Sequence, residues 1–176
     1  GFATMTSLLL KHYKQRVVLV NLTKTLLVDI WYLKLLLGDK FNTDLAIATS
    51  KDDMLRVLSK TENKPSVIAI EAENHQLIQL CQLDLTINIV SMQEMNPEIV
   101  VEYFNDISIA SKQRSGAFYC CNREEKTLPD GTIVKFEDYP WHLASEIQED
   151  ELCPWTQKYY NFMPPFYRNY LGPIRH

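Results

Sequence analysis

The stretch LDLTINIVSMQEMNPEIVVEY, Leu83 to Tyr103, decides the fold, because an apolar run passes through a polar turn straight into the start of a helix. Leu85, Ile87, Ile89 and Val90 are spaced too densely for a half-exposed strand, and predict a parallel strand covered on both faces. Asn96 then stands where a helix cap is needed, its side chain able to accept from a first-turn N–H. Pro97 follows at the first helical position, where its missing donor has no partner to lose. Beyond it, Val100, Tyr103, Phe104 and Ile107 form an apolar stripe, with Glu98, Glu102 and Asn105 on the opposite face. Ser91, Gln93 and Glu94 lie between strand and helix. In open α/β sheets ligands bind in the crevice beyond the carboxyl ends of the strands, so these three are the first functional candidates.

Working outward, Met5, Leu8, Leu9 and His12 recur at helical spacing and predict an amphipathic helix over about residues 2–13. Val17 to Val20 is a short β-branched strand ending at Asn21. Leu26, Leu27, Ile30, Leu33 and Leu37 follow a helical period that Gly38 ends. Asp44 to Thr49 is a strand, Asp52 to Ser59 a short helix, and Pro65 to Ile70 a further strand. Glu71, Glu73 and His75 come next as a solvated loop, since no second histidine or spaced carboxylate set completes a metal motif. Ala117 to Asn122 and Ile133 to Phe136 are strands, and Pro129-Asp130-Gly131 is the turn signal of an antiparallel hairpin. Strands alternating with helices predict a three-layer α/β fold, mostly parallel, closed by a carboxyl-terminal antiparallel hairpin. The α/β domain spans residues 1–137, with residues 138–176 as an aromatic-rich extension packed on it.

The chain has 176 residues, 46% of them hydrophobic, enough for one substantial core. No apolar run approaches the roughly 20 residues of a membrane span, and Leu26 to Leu37 is broken by Asp29 and Lys34. A net charge of −4 offers no basic footprint for nucleic acid. Cys81, Cys120, Cys121 and Cys153 lack C-x-x-C spacing and predict reduced thiols in a cytoplasmic protein.

NIVSMQEM followed by a proline-led helix resembles the sugar O-methyltransferases, S-adenosylmethionine-dependent enzymes with the class I methyltransferase fold. GFATMTSLLL, Gly1 to Leu10, is similar to the end of that family's glycine-rich motif and its following helix. RVVLVNL, Arg16 to Leu22, matches the second strand, and DYPW, Asp138 to Trp141, resembles a further family segment. The resemblance covers most of residues 1–141. It implies a Rossmann-like methyltransferase fold, S-adenosylmethionine as cofactor and a small-molecule or glycan sugar hydroxyl as methyl acceptor. It also implies a first strand preceding Gly1, so that the sheet has a gap at its centre or fills it from elsewhere.

Gly1 is then the last glycine of the cofactor turn, where no Cβ blocks close approach. Asn21 takes the place of an acidic residue that accepts from the ribose hydroxyls. A charged acceptor is worth roughly 1.5–3 kcal/mol against about 1 for a neutral one, so Asn21→Asp is expected to tighten the cofactor by about 1 kcal/mol. Ser91 and Gln93 complete the cofactor candidates. Glu94 is the first candidate for a base or substrate contact and His142 the second, since methyl transfer needs an oriented hydroxyl relieved of its proton. Helix-entry electrostatics is the structural alternative for Glu94.

A second function class is a methyltransferase-like binding or assembly module without catalysis, motivated by Asn21, the missing first strand and the aromatic tail. A Rossmann-type oxidoreductase is a third, without the glycine fingerprint that would argue it. Trp141, Trp155, Tyr159, Tyr160, Phe162, Phe166, Tyr167 and Tyr170 crowd the carboxyl-terminal stretch. Wrapping of the domain, homo-oligomer contacts and stacking on the C–H face of a sugar are the three readings of them.

Overall fold

Val67 to Ile70 bury all four side chains, and only a strand with neighbours on both edges and cover on both faces does that. It is the middle strand of a three-stranded parallel sheet in the computed structural model, which describes residues 3–141 and 147–174. The chain divides into two compact units, Gly1–Leu80 and Cys81–His176.

In the first unit, α1 (Thr4–Leu8) runs into a π-helical turn at Leu9–Tyr13, followed by β1 (Val17–Asn21) and α2 (Thr23–Leu37). Next come α3 (Phe41–Asp44), β2 (Leu45–Ala48), α4 (Lys51–Leu58) and β3 (Val67–Glu71). The strand order is β1-β3-β2, with Val17 opposite Val67 and Leu45 opposite the same residue on the other side. Ala3, Leu33 and Val67 form a core cluster against which Leu10, Leu19, Tyr32 and Leu45 pack. Gly38 ends α2 at φ 55°, a conformation a side chain would strain. Ser50 caps α4, accepting from Asp53 N–H at 3.2 Å.

Two expectations for this unit are corrected. The stripe Met5, Leu8, Leu9 and His12 is not the buried face of the first helix: Met5 and Leu8 are exposed and Thr6 is buried. The π turn widens the helix after Leu8, so a 3.6-residue period cannot be carried to Tyr13. His75 does not lie in a solvated loop. Ala72–Leu80 winds into 3₁₀ turns and His75 is only 8% exposed.

In the second unit, β4 (Leu85–Ile89) leads through a 3₁₀ turn at Met92–Glu94 to α5 (Pro97–Ser111) and β5 (Ala117–Arg123). β6 (Glu125–Thr127) and β7 (Ile133–Lys135) follow, then β8 (Glu149–Leu152), α6 (Pro154–Tyr159) and β9 (Tyr167–Pro173). The main sheet has the order β4-β5-β9-β8, with β4 and β5 parallel and β9 antiparallel to both its neighbours. Val100, Tyr103, Phe104, Ile107 and Ala110 form the buried face of α5, and Phe104 meets Phe118 edge-on at 5.4 Å and Trp141 at 5.2 Å.

β4 is therefore an edge strand, not the doubly covered one its apolar density predicts. Leu85 is 48% exposed and Ile89 37%, because only β5 pairs with it among the described residues. The hairpin does not close the main sheet either. β6 and β7 form a two-stranded sheet of their own, turning at Gly131 with φ 89°. The antiparallel neighbour of β5 is β9, from the aromatic-rich stretch expected to be an extension. β5 buries Phe118 and Cys120 through Asn122, and so needs a strand on each edge. The fold is α/β, with one parallel and one mixed sheet. Among the described residues no helix is long and apolar enough to cross a membrane.

Candidate functional site

The end of β4 is fixed by two asparagines in otherwise apolar strands. Asn122, fully buried in β5, donates to Asn88 Oδ1 at 2.9 Å and accepts from Gln93 N–H at 3.2 Å. Asn88 Oδ1 also accepts from Met92 N–H at 3.2 Å, so the two amides hold the 3₁₀ turn against β5. Buried amides must find partners, and here the partners are the backbone of the turn. Val90, the residue between strand and turn, has φ 62°, which a β-branched side chain rarely adopts.

The candidates in the turn have separate fates. Met92 packs beneath it, 1% exposed. Gln93 points inward at 2% exposure, accepting from Arg123 N–H at 2.8 Å and donating to Glu94 Oε1 at 3.1 Å. Glu94 points outward and receives the ammonium of Lys126. That hydrogen bond, helped by the one from Gln93 and opposed by partial burial, holds the Glu94 carboxyl below the usual glutamate range. Ser91 is exposed and its hydroxyl makes no hydrogen bond among the described residues. Asn96 occupies the cap position of α5 without a side-chain bond. Its carbonyl accepts from Ile99 N–H at 3.0 Å instead.

Beside the turn lies a pocket of about 180 Å³, with Val90 at one side and Trp155, Thr156, Tyr159, Tyr160 and Tyr167 around it. Tyr160 and Tyr167 are parallel within 5° at 6.1 Å, and Tyr159 meets Tyr160 edge-on at 5.0 Å. The Arg123 guanidinium stands 5.7 Å from the Tyr167 ring centre and its Nε donates to Tyr167 Oη at 3.2 Å. The Tyr167 hydroxyl, and the nearby Tyr160 and Glu94, keep Arg123 firmly protonated.

Asn21 belongs to the first unit and ends β1. Its Nδ2 donates to Asp29 Oδ2 at 2.8 Å and its Oδ1 accepts from Leu22 N–H at 2.9 Å. Asp29, 1% exposed in α2, also accepts from Ala3 N–H at 2.7 Å. The amide expected at a ribose is thus spent on a buried carboxylate. Gly1 and His142 lie outside the described residues.

Asn21 and Gln93 fit a bound S-adenosylmethionine poorly, because their polar atoms already serve the protein. Among the described residues no group of three or more His, Cys, Asp or Glu could hold a metal ion. Asn88, Asn122, Arg123 and Lys126 were not among the sequence candidates. The asparagines carried a signal, since an amide inside an apolar strand must be bonded to something specific. Lys126, past the end of β5, carried none.

No family model matches the chain, and no curated protein matches it. Among solved structures it is similar to the PH0226 protein from Pyrococcus horikoshii OT3, at 17% identity over 98% of this chain and 89% of that one, with a TM-score of 0.41.

Proposed function

We propose that the protein is an S-adenosylmethionine-dependent O-methyltransferase acting on a sugar hydroxyl. The observation that carries this reading is the SMQEM turn. It joins a parallel strand to a proline-led helix and presents one carboxylate, Glu94, at the carboxyl ends of β4 and β5.

The cofactor, when bound, supplies an electrophilic methyl group; what this chain's residues do can be stated apart from it. Lys126 keeps Glu94 ionised, and an ionised carboxylate accepts a hydroxyl proton in a hydrogen bond. Glu94 orients the acceptor hydroxyl, while Gln93 and Asn122 fix the turn that carries it. A carboxylate held below the usual range is a weak base, so Glu94 serves to orient the hydroxyl.

Isothermal titration of the full natural chain with S-adenosylmethionine is the test. Saturable micromolar binding supports the enzyme, and no binding at millimolar cofactor overturns it. One observation favours a second reading, a binding or assembly module of methyltransferase-like build that does not catalyse. Both Asn21 and Gln93 are occupied within the protein, which leaves Ser91 as the only described cofactor candidate with an unengaged side chain.

A further inference from the structure

We propose that the pocket walled by Trp155, Tyr159, Tyr160 and Tyr167, with Val90 at its side and the Arg123 guanidinium 5.7 Å from the Tyr167 ring centre, binds a single pyranose ring. The inference rests on the sugar part of the functional reading and not on methyl transfer.

Size comes first. About 180 Å³ admits one six-membered ring and is well short of a nucleoside or a drug-sized ligand, which occupy pockets of roughly 300 Å³ and more. The walls come next. Aromatic faces carry negative charge density and attract polarised C–H groups, and a pyranose presents a face made of axial C–H bonds. Trp155 and Tyr159 are 55% and 79% exposed, so two walls stand in water and leave the opposite face of a bound ring hydrated.

The rim supplies what the walls lack. Arg123 spends its Nε on Tyr167, and its terminal nitrogens make no hydrogen bond among the described residues. A guanidinium offers its donors in a planar fork, which matches two neighbouring hydroxyl oxygens. Gln93 accepts from Arg123 N–H at 2.8 Å and donates to Glu94 Oε1 at 3.1 Å, so one side chain links the residue that carries the donor fork to a carboxylate acceptor. Hydroxyls need donors and acceptors together. A plain aryl ring has use for neither.

Three residues with left-handed backbone lie at or next to the pocket, and Ala3, Lys14, Asn63 and Ser115 share that conformation elsewhere. Val90 has φ 62°, and Asn161 and Phe162, which follow Tyr160, have φ 51° and 59°. Left-handed backbone at non-glycine residues costs on the order of 1–3 kcal/mol each and persists where the surrounding structure fixes it. Backbone bonds from Phe162 N–H to Gln157 at 2.8 Å and from Met163 N–H to Tyr160 at 3.0 Å lock the turn that sets Tyr159 and Tyr160.

The test is saturation-transfer NMR on the full chain without cofactor, with methyl pyranosides of several hexoses as probes and p-cresol as the aryl control. At least one pyranoside is expected to bind with a low-millimolar dissociation constant, with saturation strongest on the C–H protons of one face. Trp155→Ala is expected to weaken it by about tenfold, and Trp155→Phe to restore much of it. Should Trp155→Ala not fold, Tyr159→Ala at the more exposed wall reads the same contact. Saturation of p-cresol with no pyranoside responding overturns the assignment, as does the absence of any response. Because no cofactor is present, failure of methyl transfer shows only in the S-adenosylmethionine titration.

Discussion

Asn21 Nδ2 donates to Asp29 Oδ2 at 2.8 Å, and this bond reverses what Asn21→Asp should do. The ribose argument expects the new carboxylate to tighten a cofactor by about 1 kcal/mol. Against Asp29, which is buried, it instead sets two carboxylates in contact and removes a donor. The variant is expected to lose roughly 3 kcal/mol of stability at neutral pH. Like charges so close raise the pKa of the pair. A carboxyl with a raised folded pKa contributes stability below its unfolded value and loses it as pH rises, so the deficit should be smallest near about pH 4 and grow towards 7. Denaturant unfolding at both pH values checks it. Equal stability, with tighter S-adenosylmethionine binding, would return Asn21 to the cofactor.

Lys126 sets the titration of Glu94. The Glu94 carboxyl lies below the usual glutamate range chiefly through the Lys126 hydrogen bond, so Lys126→Met should move its midpoint up into that range, read by carbon NMR of the side-chain carboxyl. A lowered carboxyl pKa stabilises the fold above the unfolded value, and that contribution is lost as pH falls through the folded one. The acid limb of the stability curve should therefore flatten in Lys126→Met. The effect is small, since Glu94 is half exposed and solvent screens the pair.

Element types were largely legible, because periodicity and caps are local: the strands at Val17, Leu45 and Val67 and the helix at Pro97 fall where the patterns place them. Strand neighbours were not. An apolar run states how much surface a strand can bury, not which strands will cover it. Leu85–Ile89 alternates apolar residues with Thr86 and Asn88 whereas Val67–Ile70 is apolar throughout, and the first lies at an edge and the second in the middle. β9 comes from a stretch whose crowded aromatics hide a strand, because Tyr167, Asn169 and Tyr170 are all buried and no period-two alternation marks it. At the site, the turn could be located but not the direction of its side chains. Gln93 turns inward because Arg123 N–H needs an acceptor, and that need exists only once β4 and β5 are paired.

The four cysteines are buried thiols outside any disulfide, and Cys121 shares a core cluster with Cys153 and Tyr167. Burial, helped by the Cys153 thiol, pushes Cys121 up to about 12, and burial pushes Cys120 higher still. The thiolate is the reactive species, so both should react with a disulfide reagent at pH about 8 roughly a thousandfold or more below a free cysteine. A colorimetric thiol assay should find almost none in the native protein and all four in denaturant. Fast native labelling of Cys121 or Cys153 would mean that β9 separates readily from β5.

Gln93 and Asn122 act as one unit, because Gln93 N–H donates to Asn122 while the Gln93 side chain accepts from Arg123, the residue after Asn122. Gln93→Met keeps the volume but leaves Arg123 N–H without its acceptor, at a cost of about 2 kcal/mol. Asn122→Ala empties a site with no exposed surface and removes bonds to Asn88 and the turn, for roughly 3 kcal/mol. Sharing one network, the double variant should fall short of the summed losses by about 1 kcal/mol. Denaturation midpoints of the three variants give the cycle. Additive losses would mean that the two amides hold the turn independently. A Gln93→Met protein of unchanged stability with weakened S-adenosylmethionine binding would instead make Gln93 a ligand contact, with its inward orientation given up when cofactor is present.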